Sequence, residues 1–205
     1  MSFVRDDIAF GFPPAGDMTA ASETLRLGVG QCNTKGTLLL ALCDAAGIPA
    51  RPHFAPIRRS IQRGLYTGAW YLLLPRCLSH CWLEVEVDGE WKQIDAYIND
   101  EAFSQAAARE LEQRGWQEGF SRAGSAREGG RFDLDGTDFV QMGAVEGDDG
   151  TWTEPADYYR STLYRNRTGP IRALLYRLAI PAVNRRIGSL RHTVLATGST
   201  DGTGN

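Results

Sequence analysis

Two periodicities stand out along the chain. Polar and apolar residues alternate through SHCWLEVEVDGEWKQIDAYI, residues 79–98, with Asp88-Gly89 between the two runs, which predicts a β-hairpin closed by a two-residue turn. From Thr34 to Ala46 the run TKGTLLLALCDAA is apolar nearly all round. It predicts a helix buried on most sides and stopped by Gly47, with Pro49 just beyond. Between these two units, residues 48–57 read as a strand and residues 58–68 as a basic loop.

The remaining segments are weaker in pattern. Residues 3–9 read as the last turns of a helix, an opening abrupt enough to expect a preceding helix, and residues 22–25 as a short amphipathic piece that Gly28 ends. Asn99 and Asp100 are suited to cap a helix through EAFSQAAARELEQRG, which Gly115 terminates. Residues 116–150 are rich in Gly and Asp with few periodic apolar positions and predict a long irregular excursion. After Pro155, helical segments at 156–166 and 170–191 are expected, the second broken at Pro181. The organisation expected is one domain over residues 1–196, with its core at 20–100, the irregular loop at 116–150 and C-terminal helices at 155–191. A disordered tail is expected at 197–205.

Composition narrows the function classes. With 205 residues, 42% of them hydrophobic, the chain is long enough for one sizeable core. A net charge of −3 gives no reason to expect nucleic acid as a partner. Residues 155–191 are locally basic, with eight Arg against Asp157 alone. LLYRLAIPAVNRRI within them has the apolar and Arg-rich character of a helix at a membrane surface. The favoured reading packs that helix over the core, with its Arg side chains solvated or paired to the acidic stretch 133–149, because Pro181 interrupts the apolar run. Arg5, Asp6 and Asp7 leave no room for a signal peptide, and no stretch of about 18 uncharged apolar residues occurs, so a cytoplasmic protein is expected. In that compartment Cys32, Cys43, Cys77 and Cys81 are expected as free thiols.

No cofactor or metal is expected either. Cys77, His80 and Cys81 look like zinc ligands in print, but residues 80 and 81 of a regular strand point to opposite sides. DLDGTD at 133–138 has its glycine fourth rather than sixth, and Ala144 stands where a calcium loop ends in an acid. Cys43 reads as a small buried apolar residue. His53 reads as structural or as a cleft wall.

The hairpin carries the chemistry. An Asp88-Gly89 turn sets Val87 opposite Glu90, and the same register sets Trp82 opposite Asp95 and His80 opposite Tyr97. His80 and Asp95 become diagonal neighbours on one face, about 7 to 8 Å apart at Cα, within reach of each other's side chains. Cys81, Leu83, Val85, Ile94, Ala96 and Ile98 share the other, apolar face. Cys32 stands where the apolar helix begins, in LGVGQCNTKG. Unpaired N–H groups and the helix dipole there favour a thiolate, and a backbone N–H beside the sulfur suits an oxyanion. Cys32, His80 and Asp95 thus compose a candidate Cys-His-Asp triad.

GQC at a helix start, ALCDAAGIPARPHF, and SHCWLEVEVDGEWKQIDAYI together resemble the transglutaminase-like superfamily over residues 20–100. Trp82, Glu84 and Trp91 fit its pattern beside the three triad positions. Residues 3–100 further resemble small bacterial transglutaminase-like proteins. The resemblance implies an α+β, papain-like core in which a Cys-bearing helix packs on an antiparallel sheet. It makes Cys32 the nucleophile, His80 the general base and acid, and Asp95 the orienting carboxylate. The second oxyanion donor has no single counterpart; Gln31, Trp70 and Tyr71 are the candidates, with Trp82 a further candidate for substrate contact. Asn33 follows Cys32 where animal transglutaminases have Trp, which argues against protein crosslinking. The expected activity is acyl transfer through an acyl-enzyme, foremost hydrolysis of an amide or peptide bond, acting on a peptide or a small amide or ester. Transfer to an amine and an inactive binding or scaffold module are the alternatives.

Overall fold

A computed structural model describes residues 1–123, 140–167 and 169–198. Its regular elements are β1 (Ala9–Phe10), α1 (Ala21–Leu27), β2 (Val29–Gly30), α2 (Cys32–Ala45), β3 (Ala50–Arg58), α3 (Gly68–Leu72), β4 (Cys77–Val87) and β5 (Glu90–Ile94). There follow α4 (Glu101–Arg114), β6 (Glu118–Gly119), β7 (Arg122–Ala123), β8 (Gly150–Thr151), α5 (Pro155–Arg160) and α6 (Pro170–Gly198). A short π-helix spans Phe3–Asp7. The architecture is α+β. The main sheet is antiparallel in the order β5-β4-β3-β8, with α2 packed on β3 and β4 and C-terminal helices beside it.

The hairpin turn forms as its residue types dictate. Asp88 and Gly89 both have positive φ, 54° and 80°, the combination that matches the twist of two antiparallel strands. Val87 pairs with Glu90 and the ladder runs to Leu83 with Ile94. There it stops, so the expected Trp82–Asp95 and His80–Tyr97 pairs do not form. Asp95 opens a turn closed by the Ile98 N–H on the Asp95 carbonyl at 3.0 Å, so the chain leaves the sheet, while β4 carries on against β3 with His80 opposite Ala55. The apolar face is buried as expected, with Cys81, Leu83, Val85, Ile94 and Ile98 all in the core.

Helix α2 reaches this face at Gly36. A Cβ there would lie 2.9 Å from the Tyr97 hydroxyl and 3.4 Å from the Cys81 sulfur, so only glycine permits the approach. The helix begins at Cys32 rather than at Thr34, because Gln31 supplies a cap. Burial on most sides holds for its N-terminal half alone; Ala41, Leu42 and the residues from 44 to 49 are exposed. The contacts that enclose it gather early, through Gly36 and through Lys35, whose Nζ donates to the carbonyls of Arg5 (3.1 Å) and Ile98 (2.9 Å). Lys35 is fully buried, and that burial brings its pKa down to about 7.

Helix α4 has the predicted ends. Asp100 accepts from the Phe103 N–H at 3.0 Å, and Gly115 closes it in the left-handed region. Asp100 also accepts from the Phe10 N–H (2.8 Å) and from Arg191 (2.7 Å), tying β1, α4 and α6 together. Helix α6 passes through Pro181 without the expected break and extends to Gly198. A helical proline loses one hydrogen bond and costs about 3 kcal/mol. Ala179, Ile180, Val183 and Ile187 are buried on either side of it, and burying aliphatic side chains returns about 1.5–3 kcal/mol for each large one. The preceding helix, α5, ends at Arg160, short of the expected 166. Among the described residues no Arg of α6 pairs with the acidic stretch; Arg165, which precedes that helix, pairs with Asp149, one oxygen at 3.1 Å. The sequence DLDGTD and residues 199–205 of the tail lie outside the described residues. No described helix is long and apolar enough to cross a membrane.

Candidate active site

The cap residue Gln31 organises the start of α2. Its backbone N–H donates to Thr34 Oγ1 at 3.0 Å, and its side-chain Oε1 accepts from the Asn33 N–H at 2.8 Å, satisfying donors that the first turn leaves open. The same Oε1 accepts from the Cys32 thiol at 3.0 Å. Gln31 Nε2 donates to Asp17 Oδ1 at 2.5 Å, so the amide expected as an oxyanion donor is committed to a carboxylate. Asp17 in turn accepts from the Tyr164 hydroxyl (2.9 Å) and Asn166 Nδ2 (2.8 Å). Asn166 brackets Ser79, accepting from its N–H at 2.9 Å and donating to its carbonyl at 3.1 Å; Asn33 Nδ2 donates to that carbonyl at 3.2 Å. The start of α2 is thereby fastened to the strand residue immediately before His80.

Electrostatics reverse one expectation. Burial and the neighbouring Asp17 charge push the Cys32 thiol up to about 12, although the backbone amides of Cys81, Asn33 and Cys32 itself pull the other way. The helix terminus acts as expected, but desolvation wins, and Cys32 rests as a thiol rather than a thiolate. His80 is fully buried, and burial brings its pKa down to about 3, so its resting form is the neutral imidazole. Among the described residues neither of its ring nitrogens has a hydrogen-bond partner. Asp95 is also fully buried; its carboxylate accepts from the N–H groups of Val140 (2.9 Å) and Gln141 (2.9 Å). Burial raises its pKa to about 6 against the opposing effect of those amides. The expected His80–Asp95 hydrogen bond is therefore not formed, and the carboxylate instead anchors the returning end of the 116–150 excursion.

Cys32 opens onto a cavity of about 300 Å³. Gln31 and Trp70 line it with Cys32, as do Asp17, Asn166 and Gln141. His80 and Asp95 do not, being fully enclosed. Tyr71 belongs to a separate cavity on the far side of Tyr66, beneath Arg59 at 5.3 Å from its ring. Trp82 lines neither; it is buried with its ring stacked on His53 at 4.2 Å and tilted towards His80 at 5.9 Å. His53 lines neither of these two cavities; its Nδ1 lies 2.7 Å from Glu84 Oε1 and its Nε2 2.7 Å from Asp148 Oδ1. Cys43 is buried in the core, and all four cysteines are free.

Sequence reasoning did not find Asp17, Tyr164, Asn166 or Gln141. Asp17 sits in a Pro- and Gly-rich loop that gives no periodic signal, and its partners Tyr164 and Asn166 lie far along the chain, so no local pattern could have paired them. Gln141 lies within the irregular 116–150 stretch.

Residues 1–96 match the family model of the transglutaminase-like superfamily, a span that contains Cys32, His80 and Asp95. No curated protein and no solved structure matches the chain.

Proposed function

We propose, from the premise that residues 1–96 belong to the transglutaminase-like superfamily, that Cys32 is the nucleophile of an acyl-transfer enzyme, with His80 as proton carrier and Asp95 as its supporting carboxylate. The observation that carries this reading is the His80 imidazole: fully buried, neutral, and with both nitrogens unpartnered among the described residues. An unsatisfied buried polar group costs about 1–3 kcal/mol, a penalty that a structural histidine would avoid by pairing.

At rest the sulfur is a thiol hydrogen-bonded to Gln31 and the imidazole is neutral, so attack and proton transfer go together. Cys32 Sγ bonds to the carbonyl carbon of an amide, ester or thioester while its proton passes to His80. His80 gives that proton to the leaving group as the carbonyl carbon's old bond breaks, leaving a thioester on Cys32. Water then attacks the thioester, giving one proton to His80, and the C–S bond breaks as the proton returns to sulfur. The buried imidazolium formed in each half needs a counter-charge, which ionised Asp95 provides once the two side chains close together. Catalytic hydrogen bonds of this kind are commonly long or absent before substrate binds.

Hydrolysis of an amide or peptide bond is the reaction proposed. Asn33, where animal transglutaminases have Trp, is buried and spends its amide on Ser79, leaving no aromatic wall there to keep water from the thioester. The test supplies an activated acyl ester with and without a primary amine. Free acid as the main product in both supports hydrolysis; an amide product that dominates when amine is present would establish amine transfer instead.

A further inference from the structure

The cavity over Cys32 has an uneven lining. Phe12, Ile61, Leu78 and Leu175 give it apolar walls. Asp17, the one acid on its wall among the described residues, is occupied by Gln31, Tyr164 and Asn166. Of the four arginines on its wall among the described residues, Arg165 is held by Asp149 and Arg167 by the carbonyls of Arg160 (2.5 Å) and Ser161 (2.6 Å). The other two, Arg172 and Arg177 on α6, are exposed. Among the described residues neither has an ion-pair or hydrogen-bond partner. They line the cavity with Ala173, Tyr176 and Ala179 of the same helix, while Ile171, Leu174 and Leu178 beside them face solvent. The cleft therefore combines an apolar interior with two uncompensated positive charges.

We infer that this cavity binds an amphiphile with one anionic end: an apolar chain seated among Phe12, Ile61, Leu78 and Leu175, and a carboxylate or phosphate group met by Arg172 and Arg177. Apolar walls supply area and a few placed charges supply selection, the usual division in small-molecule pockets. A guanidinium meets either anion with two parallel donors, so the two sources share one recognition chemistry. A cationic chain of equal length meets the same walls but the wrong charge. Applied to the proposed reaction, and resting on that reading, the acyl donor is an amide or thioester of an apolar acid bearing an anionic group elsewhere on the molecule.

The test is titration calorimetry with the full chain carrying Cys32→Ala, so that nothing turns over. The ligands are octanoate, octyl phosphate and octylammonium, each below its aggregation concentration. One molecule of either anion should bind per chain, about tenfold tighter than the cation, the preference that two exposed charges support. The preference should shrink as salt is raised. The tighter of the two anions identifies the group. The double variant Arg172→Gln/Arg177→Gln should bring anion and cation to equal affinity, whereas Arg185→Gln, elsewhere on α6, should not. Equal binding of anion and cation by the chain with native α6, or an anion preference that survives the double variant, would overturn the inference. The first comparison needs no substitution on α6, so it holds even if the double variant misfolds. Because binding is read without the nucleophile, failure here leaves the acyl-enzyme reading standing, and failure of acyl transfer leaves this one standing.

Discussion

Alkylation of Cys32 by iodoacetamide should be slow at neutral pH and should climb steadily with pH. The thiol moves from an ordinary 9.0 to about 12, three orders of magnitude in thiolate population at pH 7. A more basic thiolate is also a better nucleophile, by roughly 15- to 30-fold over that range for a Brønsted slope of about 0.4–0.5. The net expectation is a rate roughly 30- to 70-fold below that of a free cysteine peptide, rising about tenfold per pH unit with no plateau below pH 10. Peptide-resolved mass spectrometry after timed alkylation between pH 6 and 10 gives the profile. Asp17→Asn removes the neighbouring charge and should shift the profile to lower pH. A plateau already present at pH 6, with Cys32 faster than the free peptide, would refute the reasoning: it would mean that the helix terminus and His80 overcome burial and hold a thiolate at rest.

Three further outcomes are expected. His80→Ala should abolish turnover, while Asp95→Asn should leave a remnant about ten-thousandfold below the parent, since the acid supports the imidazolium without carrying the proton; equal activity of parent and Asp95→Asn would remove Asp95 from the mechanism. In the amine-competition assay, free acid should remain the main product. Lys35 has its folded pKa depressed from 10.5 to about 7, so between these values the unfolded chain holds more protons and stability rises with pH. Between pH 7 and 9 the rise is about 2 kcal/mol, before the raised thiols begin to oppose it. Urea unfolding should show that slope in the parent and not in Lys35→Met; an unchanged slope in the variant would assign it elsewhere.

What could be read from the amino acids alone follows the range of the interactions involved. The Asp88-Gly89 turn and the caps of α4 are decided by neighbours a few residues away, and both appear where the residue types place them. The start of the Cys32 helix was legible to within two residues, because its cap is a glutamine that gains its role from Thr34 and Asp17 together. Local register carried the hairpin correctly to Ile94 and then failed, since the turn at Asp95 is fixed by Val140 and Gln141 from across the molecule. The continuity of α6 through Pro181 rests on tertiary burial of Ile180 and Val183, which outweighs a local rule. The protonation states of Cys32 and His80 were illegible for the same reason: a helix start predicts a thiolate, and only the packing around it reveals how strongly burial opposes one.

The central claim is that acyl groups pass through Cys32 with His80 moving the proton. Intact-mass spectrometry of the full chain, quenched in acid after mixing with a p-nitrophenyl ester, tests it most directly when followed by peptide mapping. One acyl group per chain, located on Cys32, absent in Cys32→Ala and slowed at least a hundredfold in His80→Ala, is the predicted result, general base catalysis contributing roughly 10²–10⁴-fold. An adduct on Cys43, Cys77 or Cys81, or equal acylation of the parent and Cys32→Ala, would contradict it.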